Sequence, residues 1–332
     1  MRKPPFPADP AAGGPRRAPA LGVFSGWPEW WRALPGARRL CPACAVLAYW
    51  AVLFALRGFR VEHLLLGLAV LAFAYAGAGA DKWFRFLVPL ALVAAFYDAQ
   101  GYLERALWGW IPVHVSEPHA FDVRFFGIHT PAGVVTPAQW LQGHTHPALD
   151  LLFGAAYAGF IPAYVATALW FRLKGGPWTG KGSVRLRAGE PMMWSLFWLF
   201  AVSCATYHLY PAAPPWYAQR YGFGPVMRGV APDPAGEIRI DRLLGFPLFS
   251  SIYSRAPDVF GAIPSLHAAI PVLAFLFACR AGSLRLATGL YALLVCAAAL
   301  YFNHHYVLDV LWGAAYAALV AIAARGAPGS PP

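Results

Sequence analysis

Charged side chains are scarce in this chain. Lys and Arg number 26 and Asp and Glu number 15 among 332 residues, so charged residues make up 12% of the sequence and hydrophobic residues 59%. The mean hydropathy is +0.49. Globular proteins carry about 25% charged residues, so this composition excludes an ordinary soluble domain. It predicts an integral membrane protein.

Cysteine is also rare, with five residues in the chain. Cys41 and Cys44 form one CxxC pair, but neither a second pair nor the histidines of a zinc site accompany it. Cys204, Cys279 and Cys296 lie singly in apolar stretches. We interpret all five as small packing residues and expect no metal site.

The first 35 residues lack an apolar core and are rich in Pro, Gly and Arg. This composition is typical of neither a cleavable signal peptide nor a packed domain. We expect a disordered basic arm over 1–40, a transmembrane hairpin over 41–80, a membrane domain over 81–326 and a disordered tail over 327–332.

Apolar runs of the length that crosses a bilayer, about 20 residues, recur along the chain. They predict an all-α, polytopic transmembrane helical bundle of about eight spans. The predicted spans cover residues 42–57, 62–80, 84–103, 148–171, 191–210, 264–281, 284–302 and 305–324. Two long connections, 104–147 and 211–263, are too polar for lipid, and loops of that length usually carry function.

The basic residues predict an orientation. With eight spans, 17 of the 26 Lys and Arg residues fall on the side of the two termini and nine on the other side. By the positive-inside rule, both termini are cytoplasmic and both long connections face the periplasm or exterior.

Ionisable residues cluster where two spans begin. "GAIPSLHAAIP" places His267 at the start of one span, and "LYFNHHYVLDVLWG" places His304, His305 and Asp309 at the start of the last. The span that begins at His267 crosses the membrane and the next span carries the chain back, so the two groups lie at the same membrane face. His305 and Asp309 are spaced i, i+4, which puts their Cβ atoms about 5 to 6 Å apart on one helical face.

This set of residue types is suited to phosphoryl transfer. An Asp that holds one ring nitrogen of a His leaves the other nitrogen free as a nucleophile, and a second His can protonate a leaving oxygen. Ser265 and the backbone N–H groups of a helix N-terminus can bind an anion. A lone His or Asp near a helix end is more often an interfacial or packing residue, but three in register favour a phosphate site.

These segments resemble a known family. "PSLH" (Pro264 to His267) and "HHYVLD" (His304 to Asp309) resemble the second and third signature motifs of the type 2 phosphatidic acid phosphatase superfamily. The longer stretches "FGAIPSLHAA" and "HHYVLDVLWG" are similar to the branch of fungal inositol phosphorylceramide synthases and their bacterial relatives. "YPAAPPWY", "TPAQWLQ" and "HPALDLLFGAAYAGFIPAYV" also resemble that branch, so the similarity covers roughly residues 82–325.

The resemblance implies a six-helix lipid phosphatase and phosphotransferase core, and roles for single residues. His305 would attack phosphorus to give a phosphohistidine, Asp309 would orient it, and His267 would act as general acid and then base. Ser265 would hold the phosphate, without metal or other cofactor. The implied partners are a membrane phospholipid donor and a lipid alcohol acceptor, not nucleic acid, at a cell inner membrane with the site facing the periplasm.

Two departures from the superfamily pattern concern the phosphate charge. Ala299 stands where the superfamily has an Arg, and the proline-rich "YPAAPPWY" replaces its Lys and Arg-Pro first motif. We therefore expect a positive charge from the second long connection. The candidates are Arg220, Arg228, Arg239, Arg242 and Arg255. The aromatic residues expected to wall the site are Trp216, Tyr217, Phe223 and Phe260.

Further polar residues are weaker candidates. Asp98 and Arg105 lie two turns apart near the outer end of a span, so they could pair with each other or contact a headgroup. His144 and His146 are spaced like a metal pair, but we interpret them as polar loop residues. His208 precedes "YPAAPPWY" and is a candidate for the same cavity.

Three functions fit these features. The leading one is transfer of a phosphorylated headgroup to ceramide or diacylglycerol, with inositol phosphate from phosphatidylinositol as the candidate headgroup and donor. A hydrolase acting on a lipid phosphate or polyprenyl diphosphate is the second. A proton-coupled transporter is the third, but the sequence shows none of the inverted repeats that many transporters contain.

The orientation predicts which loops reach the outside of the cell. A single cysteine introduced as Pro232→Cys in the second long connection should react with a membrane-impermeant thiol reagent in intact cells. Labelling that occurs only after lysis would reverse the predicted orientation.

Overall fold

The computed structural model describes residues 26–107, 110–174, 189–257 and 259–326. Outside the described residues lie most of the predicted arm, all of the predicted tail and the segment 175–188. The helices are α1 (Trp27–Ala33), α2 (Gly36–Ala55), α3 (Val61–Tyr75), α4 (Ala78–Leu107), α5 (Ser116–Phe126), α6 (Pro137–Gln142), α7 (Pro147–Ala158), α8 (Phe160–Lys174), α9 (Gly189–Leu209), α10 (Pro215–Tyr221), α11 (Ile238–Leu244), α12 (Leu248–Tyr253), α13 (Leu266–Ala281), α14 (Arg285–Tyr301) and α15 (Val307–Ala323). Between α5 and α6, strands β1 (Ile128–Thr130) and β2 (Gly133–Val135) pair antiparallel.

The prediction of an all-α membrane helical bundle is confirmed. Among the described helices, α2, α4 and α9 are each long and apolar enough to cross a bilayer, and α7 and α8 meet this criterion only as a bent pair. The helices α3, α13, α14 and α15 are apolar but 15 to 17 residues long, below the length of about 20 that spans a bilayer without tilt. The count of eight spans stays a prediction.

The segment predicted as one span over 148–171 is broken. α7 and α8 meet at an angle of 54°, and Gly159 ends α7 with its N–H bonded to the carbonyl of Ala155. Pro162 follows in the first turn of α8 and has no N–H to continue the hydrogen-bond ladder back to Ala158. The Tyr291 hydroxyl donates to the carbonyl of Ala156 at 2.6 Å, which satisfies one of the acceptors at the end of α7.

The described residues up to Trp83 form one compact unit. In its described part, α2 and α3 pack together, with the Trp50 ring against Gly67, where a Cβ atom would have no room. The Trp50 indole N–H donates to the carbonyl of His63 at 2.9 Å. Arg38 and Asp81 form an ion pair at 2.6 Å.

Residues 84–332 form the second compact unit, and α13 lies at its centre. This helix packs against α8, α9, α14 and α15, and its residues Ala269, Ile270, Leu273 and Phe277 are fully buried. A helix that is apolar on all sides is typical of such a central position. α15 approaches its N-terminal end so closely that a Cβ at Gly313 would collide with the backbone of Ser265.

The N-terminus of α15 is capped from a distant part of the chain. The carboxylate of Asp122, on α5, accepts hydrogen bonds from the N–H groups of Val307 at 2.8 Å and Leu308 at 3.1 Å. The first N–H groups of a helix have no partner within the helix, so this fully buried side chain satisfies two of them. It thereby fixes where α15 begins.

Loss of this cap should destabilise the protein. Asp122→Ala leaves two N–H groups without an acceptor and should lower the free energy of unfolding by about 1 to 3 kcal/mol. Thermal unfolding of the purified protein in detergent measures this change, with Glu117→Ala, on the exposed start of the same helix, as the control.

The same residue should contribute a pH dependence. Burial raises the pKa of Asp122 to about 6, although the Val307 and Leu308 N–H groups oppose the shift. As pH rises from about 4 to 6, the unfolded chain loses its proton before the folded protein does, so this contribution to stability falls over that interval. Asp122→Asn cannot titrate and should lack this part of the pH profile. An unchanged profile in that variant would contradict the assignment.

Candidate active site

The structure brings together the three residues that the motifs predict to be catalytic. His305 lies in the turn between α14 and α15, Asp309 in the first turn of α15, and His267 in the first turn of α13. His305 Nδ1 is 3.3 Å from Asp309 Oδ2, and His305 Nε2 is 3.4 Å from His267 Nδ1. The carboxylate and the two imidazoles therefore form a continuous line.

Asp309 is fully buried, and donors hold it at one carboxylate oxygen, Oδ2, and at its backbone carbonyl, whereas Oδ1 has no partner among the described residues. Its Oδ2 accepts from the N–H of Tyr306 at 2.9 Å as well as from His305, and the Ser265 N–H donates to its backbone carbonyl at 3.0 Å. A carboxylate can only accept here, so Nδ1 of His305 carries the proton and Nε2 keeps its lone pair. That lone pair faces His267.

The turn that carries His305 is shaped by the residue two positions before it. Asn303 has φ of +62°, a left-handed conformation that Asn adopts more readily than most residues. Its side-chain amide donates to Gln219 Oε1 at 2.8 Å, and its carbonyl accepts from the N–H of Trp216 at 3.2 Å. The chain therefore reverses sharply after α14 and is tied to α10, which contains the end of "YPAAPPWY".

Two further segments that the sequence analysis singled out, "TPAQWLQ" and "HPALDLLFGAAYAGFIPAYV", contact the end of α14, just before this turn. Asp150, in "HPALD", accepts from the Tyr301 hydroxyl at 3.0 Å and from Arg239 at 2.8 Å. Gln142, at the end of "TPAQWLQ", donates to the carbonyl of Tyr301 at 3.2 Å. These segments hold the last turn of α14.

Aromatic rings surround the second histidine. The Tyr157 ring stacks on His267 with centroids 4.0 Å apart and planes 14° apart, and Phe160 lies 4.6 Å away. Both residues flank the bend between α7 and α8, so the break at Gly159 places them here. Their role had no signal in the sequence, because both lie in an apolar run.

His304 belongs to a second polar cluster. Its Nε2 is 3.2 Å from Glu237 Oε2 and 3.2 Å from the carbonyl of Pro234. Its ring stacks with that of Tyr253, with centroids 4.8 Å apart, and with that of Tyr157, with centroids 5.8 Å apart. The sequence indicated His304 but neither Glu237 nor Tyr253, which no motif marks.

A cavity of 460 Å³ opens beside these groups. His267, His304 and His305 line it together with the carboxylates of Asp233 and Glu237. Its aromatic walls include Tyr97, Tyr157, Phe160, Tyr207, Trp216 and Tyr253. Among the described residues that line it, none is Lys or Arg. A larger groove of 1030 Å³ lies between α9 and α15, but its described walls contain no histidine.

Three of the five predicted arginines are engaged by other groups. Arg220 pairs with Asp233, which lines the cavity, and Arg228 donates to the carbonyl of Ile111 at 2.7 Å. Arg239 is held by Asp150 at 2.8 Å. Arg242 and Arg255 are exposed. A phosphate contact by any of these stays a prediction.

Ser265 has a structural position. Its hydroxyl caps α13 by accepting from the N–H of Ala268 at 3.2 Å, and the residue is fully buried. Its predicted phosphate contact is untested.

The four aromatic candidates lie in three different places. Trp216 lines the cavity. Tyr217 and Phe260 pack against each other behind it, with centroids 5.3 Å apart. Phe223 is exposed and contacts His119, with centroids 4.7 Å apart.

The remaining candidates lie around this region. Asp98 is half-buried on α4, and Arg105 lies over the Tyr102 ring. His208 is hydrogen-bonded to Gln100, which lines the cavity, at 2.6 Å. His146 caps α7. In the described part of the chain, no group of three or more His, Cys, Asp or Glu side chains is arranged to hold a metal ion.

Comparison with known proteins gives matches over most of the chain. The PAP2 superfamily, the family of type 2 phosphatidic acid phosphatases, matches residues 132–324. The phosphoinositol dihydroceramide synthase of Bacteroides thetaiotaomicron is 30% identical over 292 residues, which cover 86% of this chain and 91% of that protein. No solved structure matches.

Fungal proteins match a shorter region. The catalytic subunit of the inositol phosphorylceramide synthase of Schizosaccharomyces pombe is 38% identical over 105 residues, which are 31% of this chain and 25% of that subunit. The inositol phosphorylceramide synthase of Candida albicans is 35% identical over 106 residues, 32% of this chain and 22% of that protein. The resemblance seen in the "PSLH" and "HHYVLD" motifs is thereby confirmed, and this chain belongs to the PAP2 superfamily.

Proposed function

We propose that this protein is a membrane phosphotransferase that moves inositol phosphate from phosphatidylinositol to the hydroxyl group of a ceramide-type lipid alcohol, through a phosphohistidine on His305. The observation that carries the proposal is the line from Asp309 through His305 to His267 at the wall of an aromatic cavity. The names of the relatives, a phosphoinositol dihydroceramide synthase and inositol phosphorylceramide synthases, support the choice of donor and acceptor.

The first half-reaction makes the phosphohistidine. The lone pair on His305 Nε2 forms a bond to phosphorus, and the bond from phosphorus to the glycerol oxygen breaks with its electron pair on oxygen. Protonated His267 gives its proton to that oxygen, and diacylglycerol leaves. Asp309 holds the Nδ1 proton of His305 and stabilises the positive charge that develops on the ring.

The second half-reaction reverses these roles. The acceptor hydroxyl oxygen attacks phosphorus, the bond from phosphorus to Nε2 breaks, and its electron pair returns to His305. His267, now neutral, takes the hydroxyl proton. The enzyme is thereby restored for another cycle.

The cavity walls favour an alcohol over water as the acceptor. Its described lining is dominated by aromatic and aliphatic side chains, with few polar groups besides the histidines and carboxylates. A site that excludes water protects a reactive intermediate from hydrolysis. An alcohol held beside phosphorus then reacts with the advantage of proximity.

The proposal includes a location and a domain division. The protein would lie in a cell inner membrane with both termini in the cytoplasm and the cavity open to the periplasm. This orientation follows from the positive-inside rule, because it puts 17 of the 26 basic residues on the cytoplasmic side. Residues 81–326 would form the catalytic domain, preceded by the hairpin at 41–80 and the basic arm at 1–40.

Substitutions should separate the roles of the three residues. His305→Ala should abolish turnover, because no other nucleophile is held in this line. His267→Ala should lower kcat by about 10² to 10⁴-fold, the usual effect of removing a general acid. Asp309→Asn should leave the protein folded but disturb the tautomer of His305.

Turnover of a labelled donor in detergent measures all three effects. His144→Ala is the matched control, since it removes an exposed histidine whose ring bonds only locally, to the carbonyl of Trp140. Near wild-type turnover by His305→Ala would exclude the phosphohistidine mechanism.

A second experiment distinguishes transfer from hydrolysis. Purified protein with labelled phosphatidylinositol should release diacylglycerol slowly alone and much faster when ceramide is added, with label in the new lipid. Both reactions share the first half, so the difference reports the acceptor. Rapid release of free inositol phosphate, or of inorganic phosphate from phosphatidic acid, regardless of added alcohol would favour the hydrolase.

A further inference from the structure

Several buried polar atoms around the candidate catalytic histidines have no hydrogen-bond partner among the described residues, Asp309 Oδ1 among them. Two of these atoms, the Tyr157 hydroxyl and Glu237 Oε1, belong to side chains that line the cavity. Tyr157 is 2% exposed and Glu237 is fully buried, yet both side chains line the cavity. An unpaired buried polar group costs about 1 to 3 kcal/mol, so such groups in a cavity wall indicate a ligand that pairs with them.

The two groups are held in one rigid stack. Glu237 Oε2 binds His304 Nε2 at 3.2 Å, and the His304 ring is nearly parallel to that of Tyr157. The Tyr253 ring is also nearly parallel to that of His304, with planes 6° apart, and its hydroxyl interacts with both the Tyr157 hydroxyl and the Glu237 carboxylate. The hydroxyl and the carboxyl oxygen are therefore presented by fixed side chains.

The chemistry of this stack favours a hydroxyl ligand over a phosphate. Burial raises the pKa of Glu237, and the opposing effect of His304 is smaller. A hydroxyl can donate to the ionised carboxylate and accept from the neutral carboxyl or from a phenol, so it suits either protonation state. A phosphate accepts only, and an ionised carboxylate repels it.

The stack lies next to the histidines at which the donor's headgroup would react. Tyr157 also stacks on His267 at 4.0 Å, so its hydroxyl lies on the ring next to the reacting pair. Resting on the proposed function, we propose that Tyr157 and Glu237 form a subsite that binds the hydroxyl groups of the donor's polyol headgroup. The acceptor alcohol is the other source of a hydroxyl at this place, and the experiment below separates the two.

The subsite should determine donor selectivity. A site that pairs buried polar groups with substrate hydroxyls strongly rejects an analogue that lacks them, by up to about 10⁴ to 10⁵-fold in favourable cases. The matched donors are phosphatidylinositol and phosphatidylcyclohexanol, which has the same ring without its hydroxyls. The wild-type protein should prefer phosphatidylinositol in kcat/KM by about 100-fold or more.

Two conservative variants test the assignment. Tyr157→Phe keeps the ring on His267 and removes the hydroxyl, and Glu237→Gln keeps the bond to His304 and removes the carboxylate. Each should reduce the preference for phosphatidylinositol by about tenfold or more, mainly through KM of this donor, with KM for ceramide unchanged. Tyr164→Phe is the control, because it removes a buried hydroxyl that donates to the carbonyl of Met192 in the core. It should keep the donor preference.

A binding measurement covers variants that turn over poorly. Calorimetry with inositol 1-phosphate should show about tenfold weaker binding to both variants than to the wild type, whereas inorganic phosphate should bind all three alike. Unchanged donor preference and unchanged inositol 1-phosphate binding would overturn the subsite and leave the proposed function standing. A raised KM for ceramide with unchanged donor preference would show that Tyr157 and Glu237 bind the acceptor, and would also overturn the donor subsite. Failure of the wild type to transfer from phosphatidylinositol would overturn the proposed function itself.

Discussion

The hydrogen bond between Asp309 and His305 is the contact on which the candidate site depends. A carboxylate placed inside a membrane protein needs donors, because no bulk water reaches it. Asp309 takes them from the His305 ring and from the N–H of Tyr306. The bond that Oδ2 accepts from His305 therefore also aims the free nitrogen of His305 at His267. The same hydrogen bonds stabilise the buried carboxylate and position the His305 ring.

The surrounding structure maintains that arrangement through other buried polar groups. Asp122 holds the start of α15, Ser265 joins α13 to the carbonyl of Asp309, and Asn303 reverses the chain before His305. Each satisfies backbone groups that a helix end leaves without partners. The line from Asp309 through His305 to His267 thus lies where two helix N-termini and one turn are joined. A shift in any of them moves a nitrogen of that line.

The cavity has an electrostatic character that differs from the superfamily pattern. Its described lining contains three histidines and two carboxylates but no arginine or lysine, and Arg220 and Arg239 are engaged by Asp233 and Asp150. In the proposed mechanism, the ring N–H groups of the histidines and the positive end of the α13 dipole would face the bound phosphate. A site of this kind suits a phosphodiester, which carries one negative charge, better than a phosphomonoester. This agrees with transfer of an intact phosphorylated headgroup.

Much of this protein could be predicted from local patterns in its sequence. Composition alone indicated a helical membrane protein, since apolar runs of bilayer length have few other structures open to them. The i, i+4 spacing predicted the contact of His305 with Asp309 because helical periodicity fixes which residues face each other. The "PSLH" and "HHYVLD" motifs indicated the family because each is a short continuous segment that can be recognised directly in the sequence.

Only the tertiary structure decided the contacts between distant segments. Asp122 lies 185 residues before Val307, and Glu237 lies 67 residues before His304. It also decided that Arg239 binds Asp150 and that the run at 148–171 bends to bring Tyr157 onto His267. A carboxylate or an arginine in a long loop has many partners of suitable charge, and spacing along the chain does not choose among them. That choice depends on which buried donors and acceptors the packed helices leave unsatisfied, and these exist only once the bundle is formed.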